Sequence, residues 1–264
     1  MNRSPAFFGI FLIVVGAVLL VALQLGVEVW RLLWPTLIIL LGVWMLWGAY
    51  ASRGAVADRQ TAALSLEGAA SASLRLRHGA GRLSVGPGAG AGELFSGTFG
   101  GGLDLQSHRR GEVLEADLRV PSPAIFFPFP WAGWRELEWE VHLTDAVPLT
   151  IRVESGASEA KLDLTNLRVT ELRIGTGASS TEIRLPSAAG NTKVRIEAGA
   201  ASVKVWVPQG VGARIRAEGG LSEVKVDPSR FPRQGLVHQS PDYESAANKV
   251  DLKITMGVGS VEVH

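Results

Sequence analysis

The sequence contains no cysteine among its 264 residues, which excludes disulfide bonds, cysteine nucleophiles and cysteine metal ligands. Its five histidines are scattered, and none has the spacing of a metal-binding pair. The G-x-S-x-G motif of serine hydrolases is also missing. We therefore predict no catalytic site, no metal site and no cofactor, and we expect that the protein is not an enzyme.

Charged side chains are almost missing from the first 52 residues, which carry only Arg3, Glu28 and Arg31. The remaining 212 residues, 53–264, include 24 basic and 24 acidic residues, so their formal net charge is zero. Binding to nucleic acid or to anionic lipid headgroups needs a clustered excess of basic side chains. The balance of charge, with no polybasic run, predicts no nucleic-acid partner.

Two long uncharged runs, residues 4–27 and 32–52, are separated only by the segment from Glu28 to Arg31. Each is longer than the ~20 residues that an α-helix needs to span a bilayer. We predict a two-helix transmembrane hairpin over residues 1–52. A cleaved signal peptide in residues 1–25 is the alternative, but a second apolar run follows it at once.

The few positive charges near the hairpin predict its orientation. The N-terminal amine, Arg3, Arg53 and Arg59 lie on one side of the predicted membrane segment, and Arg31 lies on the other. Because cytoplasmic flanks carry the excess of Lys and Arg, both chain ends are expected in the cytoplasm. The predicted localisation is the plasma membrane, as a multi-pass protein with a cytoplasmic C-terminal domain.

Glycine marks a repeat in the rest of the chain. Six copies share an apolar-x-apolar run, a glycine with small neighbours and a second alternating run, centred on Gly79, Gly156, Gly177, Gly199, Gly220 and Gly257. The central four glycines step by 21, 22 and 21 residues. Such regular spacing is typical of one structural unit per repeat.

Alternation with a period of two predicts strands that bury one face. The glycine between two runs predicts a corner in a left-handed or otherwise strained conformation. We predict an all-β domain over residues 62–264, a β-solenoid with coils of about 21 residues, after a linker over 53–61. A β-sandwich whose hairpins resemble one another is the alternative.

A longer segment, residues 86–148, separates the first copy from the second and is predicted to be an insert. Alternation predicts strands near Leu94–Phe99, Leu103–Ser107, Val113–Val120 and Glu136–Leu143. The glycine-rich stretch 86–92 lacks the Gly-Lys-Ser/Thr ending of a phosphate-binding loop. We interpret it as a flexible corner rather than a nucleotide site.

An aromatic, proline-rich loop inside the insert is the candidate contact site. Five large rings fall within nine residues, namely Phe126, Phe127, Phe129, Trp131 and Trp134. Proline keeps such a loop out of a regular central strand. The rings either cap an open end of the solenoid or form an exposed patch that contacts the membrane or a partner protein.

Three further features are predicted to lie at the surface. His78, just before a glycine corner, is interpreted as a turn residue. Glu136, Glu138 and Glu140 alternate with apolar residues and predict a solvated strand face rather than a cation site. The last copy ends with the chain, so Val261–Val263 is expected to form an end coil whose polar residues limit polymerisation.

The hydrophobic segments Gly9-Ile-Phe-Leu-Ile-Val-Val-Gly16 and Leu33-Trp-Pro-Thr-Leu-Ile-Ile-Leu-Leu-Gly42 resemble the small membrane module of LiaI- and LiaF-type bacterial proteins. The repeats Gly156-Ala-Ser, Gly177-Ala-Ser and Gly199-Ala-Ala resemble the toast-rack β-solenoid domains that follow such modules. The resemblance covers most of the chain except the aromatic loop.

The resemblance implies a role in the cell-envelope stress response, in which a LiaF-type protein restrains a membrane histidine kinase. We expect a membrane-anchored, non-enzymatic regulator or sensor. Its expected partners are the lipid bilayer and a histidine kinase or related membrane protein, and homo-oligomer formation is left open. The alternative is a structural or adhesin-like module that associates with itself.

Overall fold

The computed structural model describes residues 59–121 and 137–264, together with Trp34, Ile38 and Gly42. The chain divides into two units, Met1–Ala55 and Val56–His264. In the first unit, the three described residues are helical. The predicted hairpin otherwise lies outside the described residues, and within them no helix has the length and hydrophobicity needed to cross a membrane.

The second unit is an all-β domain, as the alternating sequence predicts, with thirteen strands joined in one sheet. The strands are β1 (Arg59–Ser65), β2 (Ser71–Pro87), β3 (Glu93–Gly100), β4 (Asp104–Arg110), β5 (Val113–Arg119), β6 (Glu138–Leu143), β7 (Leu149–Asp163), β8 (Val169–Arg184), β9 (Asn191–Trp206), β10 (Gly212–Val226), β11 (Arg233–Gln234), β12 (Val237–Gln239) and β13 (Lys249–Val263).

The six repeat copies form a parallel stack of long strands. In space their order is β2, β7, β8, β9, β13 and β10. Neighbouring strands pair so that each glycine corner stands beside the glycine corner of the next copy. A copy thus consists of one strand with a corner near its middle and a return connection, which makes the arrangement solenoid-like.

The core lies along the inner face of this stack. On β7, for example, Ile151, Val153 and Leu162 are at most 2% exposed, and Leu164 and Leu167 of the following turn are equally buried. The other copies place apolar residues at the matching positions. Since one copy cannot bury this face alone, neighbouring copies stabilise one another.

The insert closes one end of the stack. The first half of β2 pairs with β5 and its second half pairs with β6, both in parallel. Antiparallel neighbours then extend each branch, β4 beside β5, and β3 beside β6 followed by β1. The strands therefore form where alternation predicts them, and the sheet divides into two branches at β2.

The C-terminal copy does not form an end coil, so that prediction is wrong. β13 lies between β9 and β10, and Val261 and Val263 are each 1% exposed. β10 occupies the end instead, and its Leu221 is 80% exposed. The physical reason is the size of the inner side chains: β13 places Ile254 and Met256 at the registers where β10 has Ala217 and Gly219, so β13 buries more apolar surface between two neighbours.

Candidate functional site

The glycine corners form a ladder of close backbone contacts. A Cβ atom added to Gly177 would lie 2.9 Å from the carbonyl oxygen of Gly156, and one added to Gly199 would lie 2.8 Å from that of Gly177. The ladder continues through Gly257 and Gly220, with distances of 2.7 and 3.1 Å. Real Cβ atoms rarely approach this closely, so the corner accepts only glycine without a shift.

The predicted left-handed backbone at these corners is wrong. None of the six corner glycines has a positive φ, whereas Gly81 and Gly259, each two residues beyond a corner, have φ of 115° and 139°. Glycine is therefore required at the corners by the approach of the neighbouring copy and not by its own backbone dihedrals.

His78 lies in the core, and its prediction as a surface residue is wrong. Its side chain is 0% exposed, and its ring meets Trp139 edge-on at 5.3 Å between centroids. Nε2 donates a hydrogen bond to the carbonyl oxygen of Leu137 at 3.1 Å. Burial lowers the pKa of His78 below its usual value, and the bond to Leu137 offsets part of this effect.

Polar groups of the glycine-rich loop and of the acidic strand already interact with neighbouring groups of the protein. The Gly90 amide donates to the Glu93 carboxylate at 2.9 Å. The Glu138 carboxylate is 3.3 Å from Arg82 and 3.5 Å from Arg59. Among the described residues, no group of three or more His, Cys, Asp or Glu could hold a metal ion.

Outward side chains in the second half of the stack alternate in charge from strand to strand. The series, here called the alternating row, consists of Lys161, Glu182, Lys204, Glu262 and Lys225. Lys204 and Glu262 are 3.8 Å apart. Opposite charges on neighbouring strands attract, so this half of the surface neutralises itself.

At one register in the first half of the stack, the outward side chains all carry the same sign of charge. One residue from each copy falls at the same register, and all six are cationic: Arg75, Arg152, Arg173, Arg195, Lys253 and Arg216, here called the basic row. At a strand spacing of about 4.8 Å the row is roughly 24 Å long. Like charges directly opposite one another are destabilising.

A shallow groove of about 340 Å³ crosses the second half of the stack. Among its lining residues are Glu140, Lys161, Glu182, Arg184 and Trp206. Trp206 stacks on His264 with 6.0 Å between ring centroids. The lining is mixed in charge and open, which fits a contact surface better than an enclosed small-molecule site.

Comparison with known families assigns the domain. Residues 53–206 match the family described as the N-terminal domain of toast_rack. Residues 157–263 match the family described as cell wall-active antibiotics response LiaF, C-terminal. The chain belongs to the LiaF-like toast-rack family. These matches confirm the predicted family resemblance for the β domain. No curated protein matches the sequence significantly.

Solved structures similar to this toast-rack domain include a "putative cell adhesion protein" from Clostridium sporogenes. It shares 23% identity, covers 78% of this chain and 98% of its own, and superposes with a TM-score of 0.72. A "putative adhesin" from Bacteroides fragilis is 8% identical over 78% of this chain and 97% of its own, with a TM-score of 0.20. The first likeness shows a shared fold.

The predicted aromatic contact site lies outside the described residues of the toast-rack domain. All five rings, Phe126, Phe127, Phe129, Trp131 and Trp134, belong to this part. The described chain leaves β5 at Arg119 and returns at Leu137, next to His78. Whether the loop is a cap or a contact site therefore stays a prediction.

The basic row is the surface feature that the sequence interpretation missed. The balance of 24 basic and 24 acidic residues outside the first 52 conceals it. The signal was the second residue of each copy, as in Ile151-Arg-Val153 and Leu172-Arg-Ile174. Aligned copies make this a column of Arg and Lys, and the parallel register makes the column a physical row.

Proposed function

We propose that the protein is a membrane-anchored, non-enzymatic regulator or sensor in a cell-envelope stress response. The observation that carries the proposal is the match of residues 157–263 to the family described by the response to cell wall-active antibiotics. These residues contribute the second half of β7 and all of β8, β9, β10 and β13. Their outward faces are charged and open, as suits binding to another macromolecule.

The partner we propose is a membrane histidine kinase or a related membrane protein. The apolar runs 4–27 and 32–52 support anchoring in the plasma membrane beside such a protein. The aromatic loop is the proposed contact site because exposed aromatic clusters usually mark protein or membrane interfaces. Regulation by contact needs no catalytic group.

The test is deletion of the gene combined with an envelope-stress reporter. We expect the reporter to change its basal level or its induction by cell wall-active antibiotics, and the full-length gene to restore it. An unchanged reporter in the deletion strain under both conditions would contradict the regulatory role. Linkage of the gene to those of a histidine kinase and a response regulator is the expected genomic context.

The contact site has its own test, Trp131→Ser combined with Trp134→Ser. If the loop binds a partner, the variant keeps its melting temperature but fails to restore the reporter. Phe95, which is fully buried in β3, supplies the control, because Phe95→Ser should lower the melting temperature strongly. A comparable fall in the Trp variant would identify the loop as a cap and refute the contact site.

Orientation in the membrane is proposed from the positive charges around the predicted hairpin. With both ends cytoplasmic, a fluorescent protein fused after His264 should be bright, and alkaline phosphatase fused at the same place should be inactive. Active alkaline phosphatase with a dark fluorescent fusion would place the toast-rack domain outside the cytoplasm and reverse the proposed topology.

A structural or adhesin-like module is the second candidate function. The fold shared with a "putative cell adhesion protein" and the open second half of β10 favour it. Leu221 and Val258, which are 80% and 53% exposed, lie side by side at this end. Concentration-dependent assembly of the protein, with no effect of its deletion on the stress reporter, would favour this candidate over regulation.

A further inference from the structure

We propose that the basic row is a binding site for a linear phosphate polymer that carries no bases. The row is a continuous line of six cationic side chains on one face of the parallel stack. The inference does not depend on the regulatory proposal, since it concerns a ligand and not the partner kinase.

Within the described chain, the carboxylates that form ion pairs with the row are fewer than its cations. Glu154 is 2.6 Å from Arg75 and 3.9 Å from Arg152, so one carboxylate serves two cations of the row. Arg173 pairs with Glu171 on its own strand at 2.6 Å, and Lys253 is 3.7 Å from Glu218. The six cations therefore share three carboxylates.

Two members of the row have no internal partner in the described part of the chain. Arg195 and Arg216 form no ion pair there, and both are exposed. Arg195 stands between Arg173 on one side and Lys253 on the other, so both of its neighbours in the row repel it. An external anion would relieve this repulsion.

The alternating row provides an internal comparison, because the same strands build both rows. In the second half of the stack, β7, β8, β9, β13 and β10 present Lys, Glu, Lys, Glu and Lys in turn. At the register of the basic row in the first half, the same five strands present only Arg and Lys. The stack can thus alternate its charges, and the uniform sign of the basic row points to a ligand.

Because the row is only one side chain wide, it suits a single polymer molecule better than a planar membrane surface. The rows on either side are mixed in charge, and Asp117 of β5 closes the basic row beside Arg75. These flanking rows carry the cations Lys193, Arg214 and Arg77 and five carboxylates: Glu171, Asp251, Glu154, Glu197 and Glu218. A planar anionic membrane would meet these carboxylates as closely as it meets the row. A single polymer chain can lie along the line of cations between them.

The side chains of the row favour a polymer whose charged groups are phosphates. Five of the six side chains are Arg, whose guanidinium binds phosphate oxygens through paired hydrogen bonds. The row lies on a sheet face, where the strands' backbone groups already pair, so an acidic peptide would lack the main-chain bonds of strand addition. None of the outward residues in the row or its two flanking rows is aromatic, so bases would find no stacking partner.

The experiment measures binding of inorganic polyphosphate to the full-length chain in neutral-lipid nanodiscs. Orthophosphate at the same total phosphate concentration is the monomer control. We expect saturable binding of the polymer, little binding of the monomer, and affinity that falls as salt rises because counterions are released. No binding of polyphosphate at low salt would overturn the proposal.

The decisive variant replaces three adjacent cations, Arg152→Gln, Arg173→Gln and Arg195→Gln. The affinity for polyphosphate should fall by about tenfold or more, and the slope of log K against log salt should fall by about half, since three of six contacts remain. The matched control changes three cations on the same strands, Lys161→Gln, Arg184→Gln and Lys204→Gln. Equal losses in both variants would reveal only a general charge effect and overturn the site.

Two further measurements separate a loss of binding from a loss of stability and identify the class of ligand. Arg195→Gln alone breaks no ion pair within the described chain, so it should weaken binding without lowering the melting temperature. Single-stranded DNA, polyglutamate and phosphatidylserine vesicles serve as competitors of bound polyphosphate. We expect weak competition from all three. Displacement by any of them as effective as by polyphosphate itself, through the same three arginines, would assign the row to that ligand class instead.

Discussion

Gly175 and Gly177 lie two residues apart on β8, but only one of them is a corner. An added Cβ on Gly177 would meet the Gly156 carbonyl oxygen at 2.9 Å, whereas one on Gly175 would have no atom within 4 Å. Gly177→Ala should therefore destabilise the domain, by about 1–3 kcal/mol if the neighbouring copy must shift. At roughly 2–4 °C per kcal/mol, this fall is measurable in a thermal melt.

The control for this prediction is Gly175→Ala, in the same strand and equally far from the chain ends. Neither glycine has a positive φ, so backbone strain does not separate them. Gly175→Ala should be neutral or slightly stabilising, because alanine reduces the freedom of the unfolded chain. Equal melting temperatures for the two variants would mean that the copies do not approach at the corner as closely as described.

Burial of His78 predicts a pH-dependent stability. Its pKa is lowered from the usual 6.5 in the folded state, so the unfolded chain takes up the proton first as the pH falls. The stabilisation is complete above 6.5 and is lost as the pH falls from there towards the lowered pKa. The free energy of unfolding should decrease over this window, as measured by denaturant titration.

His78→Gln keeps an N–H donor for Leu137 but does not titrate. Its stability should change less between neutral and mildly acidic pH than that of the unsubstituted chain. His108→Gln is the matched control, since His108 is 60% exposed and lies 2.9 Å from Glu115. If His78→Gln retains the full pH dependence, the acid sensitivity comes from another group.

At the scale of elements, β13 should be among the best protected strands although it ends the chain. It is hydrogen-bonded to β9 on one side and to β10 on the other. β12 covers only Arg214 and Ile215 of β10, so among the described strands the second half of β10 has a neighbour on one side only. Hydrogen exchange should be slow over 258–263 and faster over 221–226. The reverse order would contradict the observed strand order.

The sequence predicts the strands well because their determinants are local. Alternation around Gly156, Gly177 and Gly199 specifies a strand, a corner and a second strand in each copy. The spatial order of the copies is not local. All copies have the same pattern and would pair in the same register, so the alternation alone does not indicate that β13 enters between β9 and β10.

The candidate surface features also differ in whether they depend on local sequence or on distant residues. A row such as Arg152, Arg173 and Arg195 could have been predicted by aligning the copies, because parallel in-register stacking converts a sequence column into a line on the surface. The burial of His78 could not, since it depends on Trp139 and Leu137 of the insert, about sixty residues away. Composition alone, with balanced charge, conceals both features.

At the scale of the whole domain, the two ends of the stack are unlike. Strands of the insert cover β2 at one end. At the other end, the second half of β10 exposes a strand edge, and exposed edges pair with other chains unless charged residues prevent it. Glu223 and Lys225 occupy outward positions on this edge and form an ion pair at 3.0 Å. We expect them to keep the domain from assembling.

Replacing both charges tests this expectation. Glu223→Val with Lys225→Val would leave an edge rich in β-branched and apolar residues beside the exposed Leu221, and should produce dimers or larger assemblies at concentrations where the unsubstituted chain shows none. Sedimentation velocity measures the change. The control, Glu182→Val with Lys204→Val, adds the same side chains to β8 and β9, whose edges are already paired. Assembly of both variants alike would indicate general hydrophobic association, whereas filaments of the unsubstituted chain would contradict the protective role of these charges and favour the adhesin-like function.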